Sequence, residues 1–254
     1  MYHEFHALDY IVYGYLQLGQ DAAARRVVAV GDSVTQADER GAFTTSYNRN
    51  ALAARLALER NDWAAAANLA IPAAAPATLG AVTRFARGIG AARSGDTTRA
   101  REEVVALTQI EATLTGQPGY NWARIVGIKR RAVEAWLALA AHDTAAAVRL
   151  AREAADMEDV TEKHPVTPGE LLPARELYGD LLLAVGSPAD ARAAYDATLL
   201  REPHRARAIY GSARAAELAG DRTAARQRYQ EFLTQMQRAD GDRAEIARAR
   251  EASR

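Results

Sequence analysis

The sequence of 254 residues contains no cysteine. This excludes disulfide bonds, thiolate metal ligands and cysteine nucleophiles. The sequence also has no excess of either charge, because 32 lysine and arginine residues balance 32 aspartate and glutamate residues. Nucleic acid and anionic membranes are therefore not expected as general electrostatic partners.

Long apolar runs are missing as well. No stretch of the sequence approaches the roughly 18 consecutive apolar residues of a membrane-spanning helix. The first residues also lack the basic segment and the apolar core of a secretory signal. The sequence therefore predicts a cytoplasmic protein with no membrane partner.

Known catalytic and cofactor motifs are absent too. The sequence shows no phosphate loop, no GxSxG elbow and no dinucleotide fingerprint. Asp240 and Asp242 flank a glycine, but the downstream ligands of a calcium loop are missing. No cofactor is predicted, and the sequence leaves open whether the protein is an enzyme.

The main positive signal is a repeat of small and aromatic residues late in the chain. The first copy is residues 173–203, PARELYGDLLLAVGSPADARAAYDATLLREP, and the second is residues 206–233, ARAIYGSARAAELAGDRTAARQRYQEFL. From Gly186 in the first to Gly220 in the second is 34 residues. Matching small and aromatic positions are Gly179, Ala191 and Tyr195 in the first, and Ala225, Tyr229 and Phe232 in the second.

This spacing and these residue types resemble the tetratricopeptide repeat, in which each unit is a hairpin of two helices. Since one hairpin cannot bury its apolar face alone, the resemblance implies stacked units. The predicted fold is all-α, a right-handed α-solenoid of about six hairpins, and no sheet is expected because no segment alternates with period two. The predicted units are residues 3–31, 46–72, 81–110, 127–156, 172–203 and 205–237. A polar, solvated C-terminal helix over 238–254 follows, and it either caps the last unit or frays.

Three connections between predicted units are longer than the repeat requires. They are GDSVTQADERGAF at 31–43, TGQPGYNWARIV at 115–126 and DVTEKHPVTPGELLP at 159–173. In repeat proteins such insertions leave the stack on one face and often carry function. The predicted turns inside the units lie near residues 19, 61, 95, 142, 186 and 220.

Three segments resemble a more specific group of bacterial tetratricopeptide proteins whose role is poorly defined. They are HALDYIVYGYLQLGQ at 6–20, RFARGIGAARSGD at 84–96 and EKHPVTPGELLPARELYGD at 162–180. Members of that group are usually longer, with further repeats before the HALDY segment. The resemblance implies a helical-repeat fold and supplies no activity.

Candidate binding residues follow from the register of the units, because first helices line the concave face of a tetratricopeptide solenoid. In the first unit His6, Asp9 and Tyr13 fall on one helical stripe, with Tyr10 adding aromatic surface. The mixture is typical of a surface for an extended peptide or a polar small molecule, where arginine can clamp a carboxylate. Solvated charges and a simple His6–Asp9 pair are the alternatives. The same register gives Arg55, Arg93, Trp136, Glu176, Asp180, Arg207, Tyr210 and Arg214.

The third insertion is the stiffest loop in the sequence because three prolines restrict its backbone. If the loop folds over the concave face, His164 could reach a ligand there. The alternative is a rigid connector that buries Val166 and positions the next unit.

The sequence therefore predicts a noncatalytic scaffold that binds a protein or peptide partner on its concave face. An alternative is a small-molecule or metal-binding protein, conceivably an enzyme, that uses His3, His6, Asp9 and His164. The two N-terminal histidines are three residues apart, whereas the HExxH zinc motif needs four. A third hypothesis is a homo-oligomer that pairs through the aromatic first helix, which carries Tyr2, Phe5, Tyr10 and Tyr13.

Overall fold

The structure is a computed structural model that describes residues 2–33, 42–72, 75–164 and 169–253. Of residues 2–6, 42 and 44 it describes the backbone alone. The described part of the chain contains thirteen α-helices and no strand, which confirms the all-α class. The helices are α1 Tyr2–Gln17, α2 Asp21–Ser33, α3 Ala42–Glu59, α4 Trp63–Ala67, α5 Ala77–Arg93, α6 Thr97–Leu114, α7 Trp122–Ala140, α8 Thr144–Asp159, α9 Ala174–Ala184, α10 Pro188–Arg201, α11 Ala206–Leu218, α12 Arg222–Gln235 and α13 Ala244–Ala252.

Consecutive helices pack against each other in pairs, and each predicted unit contains one pair. Every odd-numbered helix from α1 to α9 also contacts the next odd-numbered helix, so the first helices of the pairs form a connected layer. The second pair departs from the prediction over 46–72, because α4 has only five residues. None of the helices in the described ranges is both long and apolar enough to cross a bilayer.

The turns within the pairs share one local structure. The residues at the six predicted turn positions all have positive φ, between 56° and 87°. In the turn at Gly95, the Asp96 backbone N–H donates to Ala91 O at 2.9 Å, and Asp96 Oδ1 accepts from Arg99 N at 3.0 Å. The left-handed residue ends one helix, and the aspartate caps the next. Asp62, Asp143 and Asp221 cap α4, α8 and α12 in the same way.

Buried apolar residues form four clusters that follow one another along the chain. Many of their members are alanine, which lets helix backbones approach closely. Gly90 in α5 shows how close this approach becomes. A Cβ atom at Gly90 would lie 2.5 Å from Ala67 N and 2.6 Å from Trp63 O. The α4–α5 contact therefore requires glycine at this position.

The polar C-terminal helix predicted over 238–254 caps the last predicted unit, which is one of its two expected arrangements. A short 3₁₀ helix, Met236–Arg238, precedes α13, and Ile246 and Ala249 of α13 are buried against α11 and α12. The cause lies in the alanine-rich spacing of this segment, which also gives it a narrow apolar stripe. Residues 236–252 thus close the last pair instead of projecting into solvent.

We expect Gly90→Ala to destabilise the protein, although alanine is the better helix former. Overpacking against backbone atoms costs typically about 1–3 kcal/mol, more than the gain in helix propensity. Urea unfolding followed by circular dichroism measures the change. Gly14→Ala is the matched control, because a Cβ there has no neighbour within 4 Å and should be neutral or stabilising. Equal stabilities of the two variants would contradict the close α4–α5 contact.

Candidate functional site

The first helix pair contacts the end of the described chain. Gln17 Oε1 accepts from Ala206 N at 2.8 Å, and Gln17 O accepts from Gln235 Nε2 at 2.8 Å. The α1–α2 turn carries Gln20 where four of the other five turns carry a capping aspartate, and Asp240 Oδ1 accepts from Ala22 N at 2.9 Å in its place. We call the side of the first helices that carries Asp9, Arg55, Arg93, Glu176, Asp180 and Arg207 the inner face.

A bidentate ion pair joins α1 to α3 on this inner face. Arg55 Nε donates to Asp9 Oδ1 at 2.6 Å and Arg55 Nη2 to Asp9 Oδ2 at 2.8 Å. Both side chains are 1% exposed. Burial alone would lower the pKa of Arg55, but Asp9 raises it above its ordinary value. The pair is therefore charged and occupied, and neither residue is open to a ligand.

A second set of pairs joins α3, α9 and α11. Arg205, which the sequence reading missed, donates through Nε to Glu176 Oε2 at 2.6 Å and places Nη1 3.0 Å from Glu59 Oε1. Arg207 donates to Glu176 Oε1 at 2.8 Å and to Asp180 Oδ2 at 2.7 Å. The residues of both sets form what we call the ion-pair network: Asp9, Arg55, Glu59, Glu176, Asp180, Arg205 and Arg207.

A cavity of about 370 Å³ opens beside this network, and we call it the Arg93 cavity. The guanidinium of Arg93 lies between two indole rings, 4.1 Å from the centroid of Trp63 and 4.0 Å from that of Trp136. Its Nη1 donates to Asp180 Oδ2 at 3.0 Å. Stacking on both faces holds the planar group in one orientation. Other lining residues include Asn61, Arg207, Tyr210, Arg214, Phe232 and Glu245.

Asp180 accepts hydrogen bonds from two arginines in this cavity. It accepts from Arg93 and from Arg207, and its Oδ1 accepts from the Tyr195 hydroxyl at 2.7 Å. Burial would raise the pKa of Asp180, but the two arginines lower it below its usual value. The pKa of Arg93 is lowered, because burial and the neighbouring Arg207 outweigh the attraction of Asp180. Arg93 therefore shares its carboxylate partner with Arg207, whereas Arg207 also pairs with Glu176.

Tyr210 and Arg214 extend the cavity along α11. The Tyr210 ring lies 5.4 Å from Phe232 and 6.0 Å from Tyr229, measured between ring centroids. Arg214 pairs with Glu217 at the edge of the cavity and remains partly exposed. Of the predicted binding residues, these two share the cavity with Arg93 and Asp180. Trp63 was not predicted, although its place directly after a turn at the start of α4 was a usable signal.

The three insertions meet in a cluster of aromatic rings away from the Arg93 cavity. His164 of the third insertion lies 5.2 Å from Phe43, 5.0 Å from Tyr120 and 5.0 Å from Trp122, measured between ring centroids. Burial lowers the pKa of His164. The third insertion reaches the inner face through a backbone carbonyl instead, since Arg55 Nη1 donates to Glu170 O at 3.2 Å. Val166 lies outside the described residues.

A second cavity, of about 590 Å³, lies between the third insertion and the C-terminal end of α10. We call it the Glu158 cavity. Glu158 Oε1 accepts from Ala174 N at 2.7 Å, at the start of α9. Burial, together with the nearby Glu170, raises the pKa of Glu158 to about 8. Its lining includes Tyr13, Glu158, Glu170, Arg175, Arg201 and Glu202. Of these residues, Tyr13 alone was among the predicted binding residues.

The hypothesis of a metal site near the N-terminus falls mostly outside the described structure. The side chains of His3 and His6 lie outside the described residues, and Asp9 is held by Arg55. Within the described ranges, no group of three or more histidine, aspartate or glutamate side chains is placed to hold a metal ion. Tyr10 is 39% exposed on α1, near exposed Ile11 and Leu18.

Comparison of the chain with protein-family models, with curated proteins and with solved structures gives no match in any of the three.

We expect Arg55→Met to destabilise the protein by about 3–5 kcal/mol, because it leaves Asp9 charged, buried and without its partner. Adding Asp9→Asn should restore part of the loss, since the two residues act as one unit. Urea unfolding of both variants measures this. Arg149→Met is the control, because its partner Glu153 is 43% exposed and such pairs contribute about 1 kcal/mol or less. A similar small loss for both single variants would contradict the network.

The folded protein should become less stable as the pH rises from about 5 to about 8. Folded Glu158 keeps its proton up to a pKa of about 8, whereas the unfolded chain releases it near the ordinary value of 4.5. The folded state thus binds more protons in this range, and stability falls by at most about 1.4 kcal/mol per pH unit from this group. In urea unfolding at a series of pH values, Glu158→Gln should reduce the fall in the free energy of unfolding with pH. Glu153→Gln, at a partly exposed position, should leave this fall unchanged. Parallel curves for wild type and Glu158→Gln would refute the shift.

Proposed function

We propose that this chain is a noncatalytic helical-repeat protein of the tetratricopeptide type, with about six hairpins in a right-handed solenoid. We propose further that it binds an acidic segment of a partner protein in the Arg93 cavity. The observation that carries the proposal is the convergence of predicted first-helix residues from α5, α9 and α11 on this one cavity.

Two features support the repeat architecture. The left-handed turn residues recur at 61 and 95 and at 186 and 220, which is an interval of 34 residues in both cases. The contacts between successive odd-numbered helices match the way in which first helices stack in a solenoid. Neither feature depends on what the protein binds.

The chemistry of the cavity supports an acidic ligand. Arg93 uses Nη1 on Asp180, while its stacked and partly exposed guanidinium carries five N–H donors. A carboxylate in the cavity would give Arg93 a partner of its own, because Arg93 shares Asp180 with Arg207. Tyr210, Phe232 and Trp63 add aromatic surface for the neighbouring side chains of a peptide.

The test is binding of immobilised eight-residue peptides of defined composition, acidic, neutral or basic, to the purified protein. We expect acidic peptides to be retained best and Arg93→Met to weaken that binding by about tenfold or more, as for loss of a charge-assisted hydrogen bond. The fold should tolerate this change, because Asp180 keeps Arg207 and Tyr195 as partners.

Arg149→Met on the exposed face of α8 is the matched control for the lost positive charge. It should bind acidic peptides like the wild type. Equal retention of acidic and basic peptides, or full binding by a folded Arg93→Met variant, would show that the Arg93 cavity does not select a partner.

A further inference from the structure

We propose that the Glu158 cavity is a second binding site, which takes a small organic cation carrying a primary ammonium or guanidinium group. This inference does not depend on the proposed function, because within the described chain the two cavities share no lining residue. A failure at one cavity leaves the other intact.

The cavity is formed by several secondary-structure elements. Its walls come from the end of α8, the third insertion, the start of α9 and the end of α10, with Tyr13 of α1 and Ile125 of α7 opposite. At about 590 Å³ it lies within the range of sites that hold small molecules. The apolar walls include Ile125, Pro173 and the Tyr13 ring, which suit the methylene chain of an alkyl amine.

The positive side chains at the edge of the cavity are already neutralised. Arg175 pairs with Asp156 at 2.7 Å and also with Asp159. Arg201 Nη1 donates to the main-chain oxygen of Asp159 at 2.8 Å and to its Oδ1 at 3.0 Å. Within the described chain, these arginines are therefore engaged by Asp156 and Asp159 of α8 and not by Glu158, Glu170 or Glu202.

Two glutamates inside the cavity have cations beside them that are not part of the cavity lining. Glu170 pairs with Lys129. Glu202 lies 3.7 Å from Arg205, which already holds Glu176 at 2.6 Å and Glu59 at 3.0 Å.

Glu158 differs from Glu170 and Glu202 in its partners. The hydrogen bond that the structure gives it comes from the backbone N–H of Ala174, and no ion pair joins it to a cation within the described part of the chain. Glu158 is partly buried, and a carboxylate removed from water without a counter-charge is costly unless it is protonated or matched by a cation.

The pKa values of two of these glutamates are raised. Burial and Glu170 raise the pKa of Glu158 to about 8, and burial raises the pKa of Glu202. A bound cation would replace the proton of Glu158, so binding should release a proton and strengthen as the pH rises towards 8.5. The charged groups that face Glu158 are Lys129 of α7, Lys163 and Glu170 of the third insertion, Arg175 of α9 and Arg201 and Glu202 of α10.

Isothermal titration calorimetry with agmatine, which carries both an ammonium and a guanidinium group, tests the proposal. We expect saturable binding with one site at pH 8.5 and binding weaker by about tenfold at pH 6.5, where Glu158 is protonated and the probe stays charged. Succinate serves as the anionic comparison and should not bind. Titration in two buffers of different ionisation enthalpy should show proton release at pH 7.5.

Glu158→Gln keeps the acceptor for Ala174 N but cannot become charged, so it should lose both the affinity gain at pH 8.5 and the proton release. Glu202→Gln provides a second variant if the first does not fold by circular dichroism. Glu153→Gln, on the partly exposed face of α8, is the matched control and should bind like the wild type.

No saturable agmatine binding to the wild type at millimolar concentration would overturn the proposal. Equal affinity in the folded Glu158→Gln and Glu202→Gln variants would overturn it as well. A lysine blocked at both ends is titrated alongside agmatine. If it bound more than tenfold tighter, the site would belong to a side chain of a partner protein, and the assignment to a small cation would be wrong.

Discussion

Buried arginine is the constraint on which the inner face depends. Arginine supplies 30 of the 32 basic residues, and Arg55, Arg205 and Arg207 are almost or fully inaccessible to solvent. Taking an ion out of water costs several kcal/mol, so each guanidinium must meet carboxylates in good geometry. The pairs join α1 to α3 and tie α11 to both α3 and α9. Helices that are distant in sequence can therefore adopt only the arrangements in which these guanidinium groups and carboxylates pair.

The helices and their turns could be predicted from local patterns, whereas the pairing could not. A left-handed residue followed by a capping aspartate, as at Gly95 and Asp96, states where one helix ends and the next begins. Repeat register also placed Asp9 and Arg55 on the same face. It could not show that they bind each other, because a charged residue on that face suits a ligand or a neighbouring helix equally well. The choice depends on the distance between helices whose charged residues lie 46 positions apart in sequence.

The insertions illustrate a second limit of sequence reasoning. Their excess length indicated added function, and each was treated as a separate loop. In the structure Phe43, Tyr120, Trp122 and His164 bring all three together in one aromatic cluster. The Glu158 cavity likewise combines distant segments, because Tyr13 and Glu202, which are 189 residues apart, both line it. Repeat spacing contains no information on such convergence.

The cap that Asp240 places on α2 has a consequence for the order in which the chain is completed. Asp21, in the first turn of α2, is fully buried, and Arg243, one of its partners, lies 222 residues later. During synthesis α2 is made before residues 240–243, so its N-terminal end is not covered until they follow. Helix pairs in the middle of the chain need only adjacent segments and can form first. Helix α2 is therefore translated before these pairs but reaches its final packing after them.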